Sequence, residues 1–335
     1  MKPIKFLLNE NWAKDFFNKK SVQYFPQKKL IDCKVEPLKI YLDYKSVVIK
    51  YHLELLDEEK NIFEKNIIGK AEKPEQNSNI LTDYSTTKFL WEQGLNDIVP
   101  KPLEYLPLFN LYLYEFVPGF FLQELSVEHK DREFLDKIPA VVRGLKRIHG
   151  VKTPKKKQRE GQWQRDLKLV RRYWPAAFDK TLLWVEGCRL LRKRYKKYFD
   201  IKFYKMTHGD FYSRNILVSP INDQIKLIDF SNSAVYEPLN DVANFLINTE
   251  LMFEYDFPDS YRRLMEKLKD IFFQNYFSQS IKKEQELKIN YFVLKNLIRI
   301  IAFAAMSEGS KKPPDQSSII MDKLIRFGEE KYNKL

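Results

Sequence analysis

Cysteine and histidine are scarce in this 335-residue chain, which has two of the first and four of the second. Cys33 and Cys188 cannot build a disulfide framework, and no Cys/His spacing suits a zinc site. A reducing compartment is therefore the expectation, with the cytoplasm as default. Glycine is sparse as well: there are ten, and none form a Gly-x-Gly-x-x-Gly run, so no glycine-rich flap over phosphates can be assigned. Long hydrophobic runs are also missing. Met1 to Glu10 has too short an apolar stretch for a signal peptide. The apolar segment Tyr291 to Met306 is broken by Lys295 and Arg299 and falls short of the ~20 residues a membrane span needs. It reads as a buried helix, and no integral membrane segment is expected.

What is present is an ordinary core composition, 44% apolar, in a chain long enough for one two-lobed molecule or two domains. The net charge of +13 is unevenly placed. Residues 151–200 hold 16 Lys or Arg against 5 Asp or Glu, so this one segment carries nearly all of the excess.

Periodicity gives the order of elements. A short helix around Trp12, Phe16 and Phe17 comes first. Leu38, Ile40, Leu42 and Tyr44 alternate with polar neighbours, and so do Val47, Ile49, Tyr51, Leu53 and Leu55 after a Lys45-Ser46 turn, which predicts a hairpin. A third strand runs Ile62 to Ala71, a helix follows over about Thr82 to Gln93, and a strand pair ends in Glu115-Phe116-Val117. From about Gln123 the pattern turns helical: Phe134, Ile138, Val141, Leu145 and Ile148 recur at 3.6 spacing.

The densest chemical signal is Met206-Thr-His-Gly-Asp-Phe-Tyr-Ser-Arg-Asn-Ile-Leu-Val218, followed by Ile225-Lys-Leu-Ile-Asp-Phe-Ser231. It sets Asp210, Asn215 and Asp229 in a strand-loop-strand frame. Phosphoryl transfer needs one carboxylate to orient an acceptor hydroxyl, with an amide and a second carboxylate to hold magnesium against nucleotide phosphates. Magnesium takes hard oxygen ligands and keeps several waters, so two protein ligands suffice.

These residues resemble the kinase-like phosphotransferases, and among them the aminoglycoside phosphotransferase and related small-molecule kinase group. The Gly209 between His208 and Asp210, and Tyr212 two residues after the Asp, match the small-molecule branch; protein kinases usually carry Arg and Lys at these places. Leu145-Lys-Arg-Ile-His149 is similar to that group's Leu-x-x-Leu-His helix end. Asn240-Asp241-Val242-Ala243 is similar to its Asp-Leu-Ala element, whose Asp braces the catalytic loop. Ser231 departs from the Gly that many kinases carry. The likeness is strong over 206–246 and diffuse over the rest of 36–310.

The resemblance implies an α+β, bilobal protein-kinase-like fold: an N-lobe antiparallel sheet with one main helix, and a mostly helical C-lobe. In that frame residues 1–35 are an N-terminal extension, 36–118 the N-lobe and 119–335 the C-lobe. It further implies ATP and Mg2+ as cofactors, Asp210 as the catalytic carboxylate, and Asn215 with Asp229 as metal ligands. Glu115 and Val117 would form a hinge facing adenine. Lys50 and Lys70 both end strand-like runs, and the order of elements favours Lys70 as the phosphate lysine because its strand directly precedes the helix. Its partner is less determined: Asp83 is the one acid in the helix's first turns, and Glu92 lies two turns later.

The basic segment 151–200 can be written as two amphipathic helices. Trp163, Leu167, Val170 and Trp174 face inward in the first, with Arg165, Lys168 and Arg172 outside. Trp184, Cys188, Leu191, Tyr195 and Tyr198 face inward in the second, with Arg189, Arg192, Lys193 and Lys196 outside. A solvated face and a docking surface for an anionic sugar, glycolipid head group, anionic membrane or nucleic acid are equally open. Glu250, Glu254, Asp256 and Asp259 form a partial acidic counterweight, so a cationic acceptor is disfavoured without being excluded. The function expected is phosphoryl transfer from ATP to a hydroxyl of a small molecule or sugar. The alternative is a non-catalytic nucleotide-binding relative that docks an anionic partner. No nucleic-acid motif accompanies the charge.

Overall fold

The structure, a computed structural model, describes residues 4–41, 45–73, 79–152, 162–221, 224–277, 279–308 and 314–333. Helix α1 (Glu10–Tyr24) precedes three long strands, β1 (Lys29–Tyr41), β2 (Ser46–Leu56) and β3 (Ile62–Glu72). Helix α2 (Ile80–Glu92) and strands β4 (Pro102–Leu106) and β5 (Leu111–Glu115) follow. After β6 (Phe120–Phe121) come α3 (Leu122–Val127), α4 (Asp131–Gly150), α5 (Gln162–Tyr173) and α6 (Phe178–Arg194). Short strands β7 (Lys205–Thr207), β8 (Ile216–Val218), β9 (Ile225–Leu227) and β10 (Ala234–Tyr236) lead to α7 (Leu239–Asp256), α8 (Tyr261–Tyr276), α9 (Lys283–Glu308) and α10 (Pro314–Tyr332). The fold is α+β, an antiparallel sheet followed by a mostly helical remainder.

Two compact units emerge: Met1–Phe120 with Asn215–Ser233, and Phe121–Arg214 with Ala234–Leu335. In the first, the five strands order as β1-β2-β3-β5-β4, all antiparallel. Strand β2 is the central example of strict alternation: Val47, Ile49, Tyr51, Leu53 and Leu55 are buried while Lys50, His52 and Glu54 face out. Before the first strand, Leu7, Ala13 and Phe17 pack into the same core as β2. The β8–β9 hairpin joins this unit through backbone bonds, with Leu227 N–H donating to Ile98 O at 2.7 Å. Gly119 permits the approach of Val218: its φ is +149°, and an added Cβ would lie 2.3 Å from the Val218 carbonyl oxygen.

The first strand differs from its expected position. It begins at Lys29, and Leu38 and Ile40 are exposed; Leu42 and Tyr44 lie outside the described residues. Register shifts at Leu30/Asp32 and Pro37/Lys39 break the alternation, and each such bulge turns the following side chains to the other face.

In the second unit, α4 buries Phe134, Ile138, Val141, Leu145 and Ile148, each contributing roughly 1.5–3 kcal/mol by leaving water. Phe134 meets Phe253 of α7, and Phe245 of α7 meets Phe272 of α8. Helix α9 extends over 26 residues, longer than its apolar core suggests. Length and composition alone would let it cross a membrane, yet α5, α7 and α10 pack on it and most of its apolar stretch is buried.

Candidate active site

In the first unit, β3 and α2 bring three charges together. Lys70, paired with Tyr112 across β3–β5, points its ammonium 2.9 Å from Asp83 Oδ2 and 2.7 Å from Asp229 Oδ1. Gly69 before it is packed against Tyr51, where an added Cβ would lie 2.8 Å from the ring, so the strand has no room for a larger residue there. Asp83 is buried, and its other oxygen accepts the backbone N–H of Phe230 at 2.8 Å. Burial would pull the Lys70 ammonium toward neutrality, but Asp83 and Asp229 more than offset this and hold its pKa above the ordinary value. Burial pushes the Asp83 carboxyl up, against the pull of Lys70 and helped by the charge of Asp229.

Asp229 itself sits at φ +64°, ψ +66°, a left-handed conformation that starts the turn Phe230–Asn232 and leaves its carboxylate partly accessible. Ile228 N–H donates to Asn215 O at 3.0 Å, so the backbone that carries Asp229 is bonded to the backbone that carries Asn215. The turn is fastened to α2 a second time by the Thr86 and Ser233 hydroxyls, 2.7 Å apart.

In the second unit, β7 leads into His208-Gly209-Asp210, and β10 is its antiparallel partner. Asp241, fully buried at the start of α7, accepts His208 N–H at 2.7 Å and Gly209 N–H at 2.9 Å. Gly209 has φ +82°, a conformation that a side chain would strain, which explains the glycine. His149, at the end of α4, bonds Asp241 Oδ2 at 3.0 Å through Nε2 and the Tyr276 hydroxyl at 2.7 Å through Nδ1. The Asp210 N–H donates to His208 Nδ1 at 3.4 Å, which makes that nitrogen an acceptor and gives His208 a structural part. Asp210 is half-buried.

The other sequence-derived residues are placed as follows. Lys50 lies apart from Asp83 and Asp229, 3.9 Å from Glu36 and 4.6 Å over the Phe116 ring. Glu92 is exposed and faces Lys88. Glu115 donates its backbone N–H to Lys101 O at 3.0 Å, and Val117 is half-buried just before Pro118. Arg214 is exposed and donates to the Gln123 side chain.

Two expectations about charge need correction. Glu250 is paired to Lys331 of α10 at 2.7 Å, and Glu254 to Arg326 of the same helix, so these acids are no free counterweight for a cation. Glu250 and Glu254 stand four residues apart on the face of α7 opposite Met252, whose sulfur meets the Ser213 hydroxyl at 3.7 Å. Arg192 was placed on the solvent side of α6, but it is only partly exposed and hydrogen bonds the Tyr291 hydroxyl. Trp184, Cys188 and Leu191 are buried and Arg189, Lys193 and Lys196 exposed as expected, but α6 ends at Arg194, and Tyr195 and Tyr198 beyond it are only half-buried. The Trp163 side chain, and residues 153–161 of the basic segment, lie outside the described residues.

The sequence profile of the choline/ethanolamine kinase family matches residues 70–308, starting at the lysine of the charge cluster. The chain belongs to the choline/ethanolamine kinase family. As such it is a small-molecule kinase that acts on a hydroxyl group. Among solved structures, choline kinase from Cryptosporidium parvum Iowa II is similar over 98% of this chain and 96% of its own, with TM-score 0.63 at 12% identity. An amicoumacin kinase in complex with AMP-PNP and Ca2+ covers 97% and 96% of the two chains, with TM-score 0.59 at 16% identity. Plasmodium vivax ethanolamine kinase covers 96% and 85%, with TM-score 0.57 at 14% identity. These likenesses show the shared fold. No curated protein matches the sequence.

In this choline/ethanolamine kinase family member, several contacts have no local signal in the sequence. Tyr276, Thr86 and Ser233 belong to no motif, and each meets its partner only through packing of distant elements. The second bond of Asp83, to Phe230 N–H, has a faint signal: a lone acid in the first turns of a helix whose other buried residues are apolar or hydroxylic.

Proposed function

We propose that this kinase transfers the γ-phosphoryl group of ATP, with Mg2+, to a hydroxyl of a small molecule. The observation that carries the nucleotide half is the Lys70 ammonium held between Asp83 and Asp229, since a lysine kept charged by two carboxylates is ready to face phosphates. Asn215 and Asp229 fit a magnesium ion: both offer hard oxygens, their backbones are bonded together, and two protein ligands are enough beside phosphate oxygens. Bound there, the ion would neutralise charge on the phosphates. Adenine would lie along Glu115 to Val117; because the Glu115 N–H is taken by Lys101, the Glu115 carbonyl and Val117 backbone are the groups left for its edge.

Asp210 accepts a hydrogen bond from the acceptor hydroxyl and aligns its oxygen with the γ-phosphorus. As the new O–P bond forms and the bond to ADP breaks, the hydroxyl proton leaves through Asp210. The transition state is loose, so positioning outweighs proton abstraction. Asp241 and His149 serve by fixing the backbone of the loop that presents Asp210.

Calorimetric titration with AMP-PNP tests the nucleotide half: binding should require Mg2+ and be lost in Asp229→Ala. Metal-independent binding of equal strength would refute the assignment of Asp229.

A further inference from the structure

In the second unit, helix α6 has an exposed face that mixes apolar and basic side chains. Its inner residues Thr181, Trp184, Val185, Cys188 and Leu191 are buried, and α5, α9 and α10 pack against the helix. The outer stripe recurs at three- and four-residue spacing through Leu183, Glu186, Leu190 and Lys193, all exposed. Leu183 is 56% exposed and Leu190 is 68% exposed, two turns and roughly 10 Å apart along the helix. A single surface leucine is ordinary; two on one stripe that runs into a block of cations make an amphipathic face.

The cations gather at the C-terminal end of that stripe. Residues 189–205 hold eight Lys or Arg against one Asp. Arg189 is tied to Glu186, which cancels the one acid on the stripe, and Lys202 lies 3.5 Å from Asp200. Lys193, Arg194, Lys196 and Lys197 are exposed and make no ion pair among the described residues. Four uncompensated charges therefore stand beside two exposed leucines.

From this arrangement we infer that the outer face of α6, with the turn Lys196–Phe199 that follows it, docks on an anionic lipid surface. A membrane interface uses both halves of the pattern. Lipid phosphates and carboxylates attract the cations, while the leucines enter the boundary between head groups and acyl chains. The long Lys and Arg stems can lie along that boundary with their charges at head-group level. A nucleic acid would use the cations but gains nothing from Leu183 and Leu190. Nor are the neighbouring rings open to bases: Tyr195 and Tyr198 are half-buried, stacked on each other at 6.1 Å, and covered by Arg194 and Lys197. A second copy of the chain would bring the same positive charge to the same face. Attachment is peripheral and reversible, because two leucines and a basic patch bury far less than a spanning helix. The inference stands apart from the phosphotransferase reading, since neither Asp210 nor Lys70 takes part.

Co-sedimentation of the full chain with large unilamellar vesicles tests it. Vesicles of phosphatidylcholine with about one part in three phosphatidylserine should carry the chain down at ~0.1 M salt and release it at ~0.5 M, and phosphatidylcholine alone should retain little. Lys193→Glu combined with Lys197→Glu should weaken partition at least about tenfold, since one cation near such a surface strengthens binding by about fivefold. Leu183→Ser combined with Leu190→Ser should weaken it at least about fivefold. Two controls lie in the first unit, where Lys19 and Lys65 are exposed and Leu108 is 80% exposed. Lys19→Glu combined with Lys65→Glu, and Leu108→Ser alone, should each change partition by less than about twofold. Unchanged melting temperatures would show that every variant is folded. Equal losses from the two lysine pairs would reduce the effect to the net charge of +13 and overturn the docking face. So would failure of the wild type to sediment with the acidic vesicles at the lower salt. If the leucine variants bind vesicles as tightly as the wild type, and the Lys193 and Lys197 pair is needed for a single-stranded oligonucleotide, the cations serve nucleic acid and the lipid assignment falls.

Discussion

Asp83 accepts the backbone N–H of Phe230 at 2.8 Å, and so fastens helix α2 to the turn that presents Asp229. Its second oxygen holds Lys70, and a single buried carboxylate thereby sets both the lysine and the turn that carries Asp229. Removing it strands a buried ammonium. Asp83→Ala should lower unfolding stability in urea by roughly 3–5 kcal/mol, the usual cost of breaking a buried pair by deleting one partner. A loss below about 1 kcal/mol would mean that Lys70 and the turn are held by other contacts.

The two motif carboxylates should fail in different ways. Asp229→Ala should remove Mg2+-dependent nucleotide binding, whereas Asp210→Ala should spare it and depress turnover by about two to four orders of magnitude. Parallel titration and rate measurements separate them, and wild-type turnover in Asp210→Ala would discard its assignment.

Lys70→Ala should impair turnover far more than Lys50→Ala. Lys70 meets both Asp83 and Asp229, while Lys50 meets Glu36 and the Phe116 ring. The reverse ranking of kcat/KM would mean that the charge cluster on β3 does not face the nucleotide.

Much of this was legible in the chain because the signals are local. The order of three strands, helix and two strands follows from period and turn residues, and which strand precedes the helix favours Lys70; its partner stayed open between Asp83 and Glu92 until the packing of α2 set Asp83 against it. The direct 2.9 Å contact needs no bridging water, because Thr87 and Leu90 bury the same face of α2 and draw the helix onto the sheet. Where the reading erred, the cause was non-local. Two bulges shifted β1, and Glu250 and Glu254 looked free because Lys331 and Arg326 lie more than seventy residues further on. Arg192 read as solvent-facing because nothing in α6 reveals Tyr291.

Lys295 gives a pH signature. Burial, together with Arg192 and Arg299, pulls its ammonium down to about 8, below the ordinary 10.5, so between those limits the unfolded chain holds more protons and stability rises with pH. Below that window the full cost of the buried charge is present. Lys295→Met should therefore be more stable than the wild type by roughly 1–3 kcal/mol at pH 7, after allowing for the lost bond to Tyr236, with the gap closing by pH 10. Denaturation midpoints at the two pH values decide it; a gap that widens with pH would contradict the depressed value.

The most direct test of the account is phosphoryl transfer itself. The purified chain with γ-labelled ATP and Mg2+ would be offered choline, ethanolamine, hydroxy acids and phosphorylated sugars, and labelled product followed beside ADP. The account predicts a labelled phosphate ester of at least one acceptor, dependent on Mg2+ and absent with Asp210→Ala. Nucleotide binding with no labelled product from any acceptor, and ADP release no faster than in Asp210→Ala, would contradict it.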